Sequence, residues 1–303
     1  MGLAYEVAST PLVYAMPAYY DRHRPERDHG PVSIPFGTDR LQRCLLWEPA
    51  HVTHDTVVMW FHGGGYFVGT PESMSDAANV YNSQGYRFVS VGFRLMPWHR
   101  FPAQVDDAFR GVRAAMSWMR SHGRPCDGVV VGGSSAGGFS AAIVAYGADL
   151  QDRYDLEGDA IAGYVSCAAV LDADDFFVRP MPEGMAGAAC TRALLDIDGM
   201  EPESREAMHE ALLPYSPIAL LDGRRRVPYF GIHGMADTAS PYASEFAFAR
   251  RLARVAGTGA ATLCTIDDDS WQHMTTTVTM HKRRVETDPV LSALFGWLNG
   301  REG

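Results

Sequence analysis

Short apolar runs separated by amphipathic stretches set the rhythm of this chain. Thr56 to Phe61 (TVVMWF) and Tyr86 to Phe93 (YRFVSVGF) are continuous enough to predict strands buried on both faces. Leu41 to Trp47 reads as an earlier strand. Gly128 to Gly133, Ile161 to Val170, Val227 to His233 and Ala261 to Ile266 predict further strands. Between Ala103 and Ser121 the pattern changes. Val105, Ala108, Phe109, Val112, Ala115, Met116 and Met119 recur at spacings of three and four, which makes one helical stripe. Pro102 precedes it, where a helix tolerates proline. Helices are also predicted over Ala136 to about Leu150, Tyr242 to Val255 and Asp288 to Asn299. The first 30 residues, rich in Tyr, Pro, Arg and His, read as a loosely helical arm. Strands alternating with helices predict an α/β fold with a mainly parallel sheet covered on both faces.

One stretch breaks the alternation. Asp172 to Arg226 lies between two predicted core strands and far exceeds the usual connection of about 2–6 residues. It mixes acidic, Pro/Gly and Met-rich pieces with a predicted helix from Pro202 to Leu213. Its place in the chain predicts a cap over a site at the sheet edge. Phe176, Phe177, Met181, Met185, Leu194, Leu195 and Met200 follow no clean period there and suit an adaptable apolar wall.

Composition narrows the possibilities. The 303 residues are 47% hydrophobic and 20% charged, which suits a globular domain with a sizeable core and argues against disorder. Lys and Arg total 26 against 36 Asp and Glu, a formal charge of −10. That balance disfavours nucleic acid and anionic membrane surfaces as partners. Lys282 is the only lysine, which reads as a genome-composition bias. Cys44, Cys126, Cys167, Cys190 and Cys264 are scattered and odd in number, so neither a disulfide framework nor a zinc site is expected. No run of 18 apolar residues predicts a spanning helix. The first twenty residues lack a basic region followed by an apolar one, so no signal peptide is expected and the cytoplasm is the default location.

Two glycine motifs carry chemistry. Gly133-Ser134-Ser135-Ala136-Gly137 fits G-x-S-x-G and sits between a predicted strand and a predicted helix, the context that motif requires. A nucleophile on so tight a turn has strained backbone angles, and glycines on either side remove side chains that would clash. The helix start behind it favours negative charge. His62-Gly63-Gly64-Gly65 follows the strand ending at Phe61. Such a run supplies oxyanion donors together with the residue after the nucleophile, which makes Gly64, Gly65 and Ala136 the candidate donors and leaves Gly63 to the turn. His62 reads as a brace for this loop and not as a base.

A serine nucleophile needs a base, and the base needs an orienting carboxylate. Where the chain order is Ser, then Asp or Glu, then His, Asp237 and His273 fit. Each follows a predicted strand at the same edge as Ser135. His233 ends a strand, His209 falls in the insertion helix and His281 sits in a basic run, so each suits the role less well. Asp267, Asp268 and Asp269 compete with Asp237 but share a loop with His273 and precede it too closely.

These residues resemble the hormone-sensitive-lipase-like branch of the α/β-hydrolase superfamily. The carriers are His62 to Gly65, Phe93-Arg-Leu-Met-Pro-Trp-His-Arg-Phe-Pro-Ala103 with Asp107 a few residues on, and Gly133 to Gly138. The likeness runs over about residues 40 to 300. It implies an α/β-hydrolase core at 41–171 and 227–303, with a cap built from an arm at 1–40 and the insertion at 172–226. Asp237 and His273 match the family's remaining triad positions. Two positions depart from the family: Ser134 and Trp98 stand where many members carry acidic residues, and both bear on the pocket wall. Tyr66, Trp98, Phe176 and Phe177 are the candidate pocket residues.

The expectation is a serine carboxylesterase for short- to medium-chain acyl esters, working through an acyl-enzyme with no cofactor and no metal. Its expected partner is a small-molecule ester, and homo-oligomerisation stays open. An arylformamidase, amidase or sugar acetyl esterase with the same triad is the alternative within enzymes. A catalytically silent ligand receptor on the same fold is the alternative outside them, and the presence of all three triad residues argues against it.

Overall fold

A computed structural model describes residues 30–126, 128–179, 195–197, 205–279 and 284–300. Its apolar runs become strands β1 (Val32–Pro35), β2 (Arg43–Trp47), β3 (Val57–Phe61), β4 (Arg87–Val91), β5 (Val129–Ser134), β6 (Ile161–Cys167), β7 (Tyr229–Gly234) and β8 (Ala261–Ile266). The helices are α1 (Ser75–Ser83), α2 (Ala103–Ser121), α3 (Ala136–Tyr146), α4 (Ala148–Arg153), α5 (Arg205–Leu212), α6 (Tyr242–Ala256), α7 (His273–Thr279) and α8 (Pro289–Asn299). The strands form one 8-stranded sheet in the order β1-β2-β4-β3-β5-β6-β7-β8. β2 pairs antiparallel with both β1 and β4, and every pairing from β4 through β8 is parallel.

β3 explains why the central strands are apolar throughout. All its residues are buried. Val57, Met59 and Phe61 enter one core, with Phe109 of α2, Phe139 of α3 and Phe248 of α6. Val58 and Trp60 enter another, with Tyr81 of α1 and Phe295 of α8. Successive side chains of a strand point to opposite faces, so a strand covered on both sides has no polar position to offer.

The helix over Ala103–Ser121 matches its predicted limits, as does the strand over Ala261–Ile266. The helix expected to run on to Leu150 divides instead at Gly147, whose ψ of 76° is not helical. β1 falls inside the segment read as the 1–40 arm but is hydrogen-bonded into the core sheet. Residues 1–29 lie outside the described residues, as do Met181, Met185, Leu194, Met200, Cys190 and His281.

The insertion is tied at its root. The Ile218 N–H donates to the Leu171 carbonyl at 3.0 Å, and the Ala173 N–H donates to Ser216 Oγ at 3.1 Å. Asp174–Val178 forms a π-helical turn, held to α5 by His209 Nδ1 against Asp174 Oδ2 at 2.6 Å. Among the described residues, no helix is long and apolar enough to cross a membrane.

Candidate active site

The carboxyl ends of β3, β5, β7 and β8 lie at one edge of the sheet. There the chain leaves β5 through Ser135, with φ 54° and ψ −124°. A positive φ on a non-glycine residue is strained, and the local packing enforces it. A Cβ on Gly133 would lie 2.4 Å from the carbonyl carbon of Gly137, and one on Gly137 would lie 2.2 Å from the carbonyl oxygen of Phe61. No other residue type allows α3 to approach β3 so closely. Ala136 opens α3, so its N–H is among those a helix cannot pair internally, and it stands beside Ser135.

The turn after β3 lies across from it. Gly64 has φ 109°, and its carbonyl accepts from the N–H groups of Phe67 and Val68 at 3.0 and 3.2 Å. His62 braces this turn as expected. Its Nδ1 lies 2.7 Å from the Gly63 carbonyl, and its ring stacks on Phe93 with centroids 4.2 Å apart. Burial, partly offset by that hydrogen bond, pushes it down to about 4. A neutral ring of that kind is a poor base.

The segment matching the family's middle motif is bolted down by a buried carboxylate. Asp107 accepts from Arg94 N, Nε and Nη2 at 2.8, 2.8 and 2.9 Å and from Gln42 Nε2 at 2.7 Å. Met96 N–H donates to the Tyr66 carbonyl at 2.8 Å, which fixes this segment against the glycine turn.

Asp237 follows β7, and His273 opens α7 after β8. His273 Nδ1 lies 2.8 Å from Asp237 Oδ2. Asp237 Oδ1 accepts from the N–H groups of Ala239 and Ser240 at 2.9 and 2.8 Å. Burial opposes its charge, but hydrogen bonds from His233 and His273 hold the carboxyl well below the usual carboxylate range. An ionised carboxylate at that distance can accept a hydrogen bond from a proton held on His273 Nδ1. Asp267, Asp268 and Asp269 do not compete for this place; Asp268 accepts instead from Ser270 in its own loop.

Three of the expected pocket residues gather beside α3. The Tyr66 hydroxyl meets Ser140 Oγ at 2.6 Å. Phe176 stacks on Phe139 at 5.1 Å and tilts against Tyr66 at 5.4 Å. Phe177 is buried against Phe101 at 4.6 Å. Trp98 corrects the expectation. It is 86% exposed, because Met96 is buried and pinned to Tyr66 while the chain beyond it turns outward. Ser134 is buried at the end of β5, where it pairs in register with Cys167 of β6.

Sequence reasoning missed Glu245, which is buried and 2.5 Å from His233 Nδ1. The signal was available. Glu245 falls with Phe248, Ala249 and Leu252 on the apolar stripe of α6, and an acid on such a stripe needs a buried partner. Among the described residues, no group of three or more His, Cys, Asp or Glu side chains is placed to hold a metal ion.

A family model described as alpha/beta hydrolase fold matches residues 58–212. Esterase LipI of Mycobacterium tuberculosis is 36% identical over 108 residues, covering 33% of this chain and 32% of that protein. Ethyl acetate hydrolase of Pseudomonas putida is 35% identical over 107 residues, covering 35% of this chain and 33% of that protein. The matched stretches thus span about a third of these relatives' own length. Among solved structures, a tributyrin phosphonate-inhibited esterase B from Lactobacillus rhamnosis superposes with a TM-score of 0.68 at 19% identity, covering 98% of this chain and 96% of that one. At that identity the likeness speaks for the fold.

Proposed function

The chain belongs to the α/β-hydrolase fold family, in its hormone-sensitive-lipase-like branch, and from that premise we propose that it is a serine carboxylesterase acting on short- to medium-chain acyl esters. The observation that carries the reading is the pairing of a strained Ser135 at the β5–α3 turn with an Asp237–His273 hydrogen bond at the same sheet edge. In this reading Ser135 Oγ attacks the ester carbonyl as His273 Nε2 takes its proton. Asp237 holds Nδ1–H and offsets the charge the ring acquires. The N–H groups of Gly64, Gly65 and Ala136 receive the oxyanion, each worth about 3–4 kcal/mol. His273 then protonates the departing alcohol and activates a water that frees the acid from the acyl-enzyme. The reaction so written uses no cofactor.

Tyr66, Phe139 and Phe176 are the proposed acyl wall, and 172–226 is the proposed cap. The similar proteins, an esterase and an ethyl acetate hydrolase, support an ester substrate of modest size. The proposal takes the cytoplasm as the location, to be checked by fractionation.

A panel of p-nitrophenyl acyl esters, run beside N-formylkynurenine and with organophosphonate labelling, tests the reading. Ester turnover with label on Ser135 is the expected result. Faster turnover of the formamide would move the assignment to an arylformamidase. Failure to label Ser135 would reject the nucleophile and leave a binding protein.

A further inference from the structure

Behind Asp237 lies a second carboxylate and a second imidazole, both fully buried. His233 Nδ1 is 2.5 Å from Glu245 Oε2. His233 Nε2 is 2.8 Å from the Ser240 carbonyl oxygen and 3.4 Å from Asp237 Oδ2. The other oxygen of Glu245 accepts from the Tyr229 hydroxyl at 2.6 Å. With Glu245 ionised, both ring nitrogens face oxygens that can only accept. A neutral imidazole has one N–H, so its second nitrogen would set a lone pair against one of them. A doubly protonated ring satisfies every partner.

The charges support the same assignment. Glu245 and Asp237 are two buried acids flanking one ring, and a cation between them removes a conflict that burial would make costly. Burial pulls against the charged ring, but Glu245 and Asp237 overcome it and push His233 up to about 10. Tyr242, Tyr164 and Cys167 also lie near this pair. The Tyr242 ring lies 5.8 Å from His233, and burial followed by the charge of Glu245 pushes Tyr164 and Cys167 upward.

We infer that His233, kept as an imidazolium by Glu245, is a positioning residue that fastens Asp237 behind His273. The linkage is direct. Ser240 gives its N–H to Asp237 Oδ1 and its carbonyl to His233 Nε2, so the ring secures the turn that holds the carboxylate. Asp237 Oδ2 then keeps its place as His273 gains and returns a proton. This deepens the esterase reading and rests on it for the role in turnover, but not for the charge state of the ring.

Histidine side-chain ¹⁵N NMR on the full chain reads that charge state without substrate, so its failure is separate from failure of the esterase reading. One ring, identified by its loss in His233→Gln, should carry protons on both nitrogens from about pH 6 to about pH 8.5. Glu245→Gln keeps an acceptor for Nδ1 and a donor for Tyr229 but removes the charge. In it the ring should lose one proton within that range. Its kcat and the rate of phosphonate labelling should fall about tenfold with KM within about twofold. Tyr229→Phe leaves both charges in place and should keep the ring doubly protonated and kcat within about twofold. A singly protonated ring in the unaltered protein, its other proton held by Glu245, would overturn the inference whether or not the variants fold. So would a Glu245→Gln protein that loses thermal stability but keeps its kcat.

Discussion

The amide of Ser135 donates to the carbonyl of Cys167 at 3.0 Å, which anchors the strained turn to the neighbouring strand β6. The thiol of the same cysteine donates to the Thr276 carbonyl in α7 at 3.4 Å. The turn carrying Ser135 and the helix opened by His273 therefore share one anchoring residue. Burial pushes the Cys167 thiol upward, so it stays protonated and remains a donor.

Ser135→Ala should lower kcat by at least about 10³-fold, the scale expected when a nucleophile is removed from residues that act as a unit. Hydrolysis of p-nitrophenyl butyrate gives the rate, and circular dichroism should show an unchanged fold. Ser134→Ala should stay active, since Ser134 lies within β5. If the two results exchanged places, the nucleophile would be one residue out of register.

Gly137→Ala meets backbone, not a yielding side chain. Its Cβ would lie 2.2 Å from the Phe61 oxygen and 2.4 Å from the His62 oxygen. Overpacking of this kind costs about 1–3 kcal/mol. Because α3 must slide from β3 to relieve it, Ala136 parts from the Gly64 turn and kcat should fall as well. Urea unfolding and steady-state kinetics together check both effects.

The two phenylalanines of the π-helical turn should separate. Phe177 is 2% exposed, and Phe177→Ala should cost about 3–5 kcal/mol of stability. Phe176 is half-buried beside Phe139 and Tyr66, and Phe176→Ala should raise the ratio of butyrate to acetate hydrolysis with a smaller loss of stability. A constant ratio would make Phe176 packing alone.

Stability should fall on both sides of a mildly acidic plateau for different reasons. His233 is raised from 6.5 to about 10, against burial, by Glu245 and Asp237. Its contribution is whole below about 6.5 and is lost as the pH rises toward about 10. Asp237 is lowered despite burial, by His233 and His273, so its contribution holds above about 3.8 and is lost as the pH falls below that. Denaturation midpoints measured from about pH 2 to about 10 should show a plateau between these limbs. His233→Gln should flatten the alkaline limb.

The sequence foretold most of what depends on local pattern. The stripe from Val105 to Met119 defined α2 to the residue, and the two glycine motifs located Ser135 and the turn at Gly64. What it missed depends on partners distant in the chain. β1 has a single buried residue and is a strand because β2 pairs with it. Glu245 lies on the apolar stripe of α6, but its partner His233 comes from β7 and meets it only in the fold. Trp98 looked like a pocket residue because of its place in a motif, but the anchoring of Met96 sends it outward.

The division of β3 between two cores sets a rule for changes in chain length. One residue inserted between Met59 and Trp60 would reverse the facing of one half of the strand, sending a Trp-sized side chain into the space shaped for a smaller one. It would also carry His62 and Gly64 about 3.3 Å along the sheet, beyond reach of Ser135 and Ala136. The same insertion beside Asp55, which is exposed and precedes the strand, would only lengthen a surface loop at little entropic cost. Homologues that vary in length near this site should therefore accommodate the difference before Val57 or after the turn at Gly64, and a library of single-residue insertions should show silence at Asp55 giving way abruptly to loss of both folding and turnover within β3.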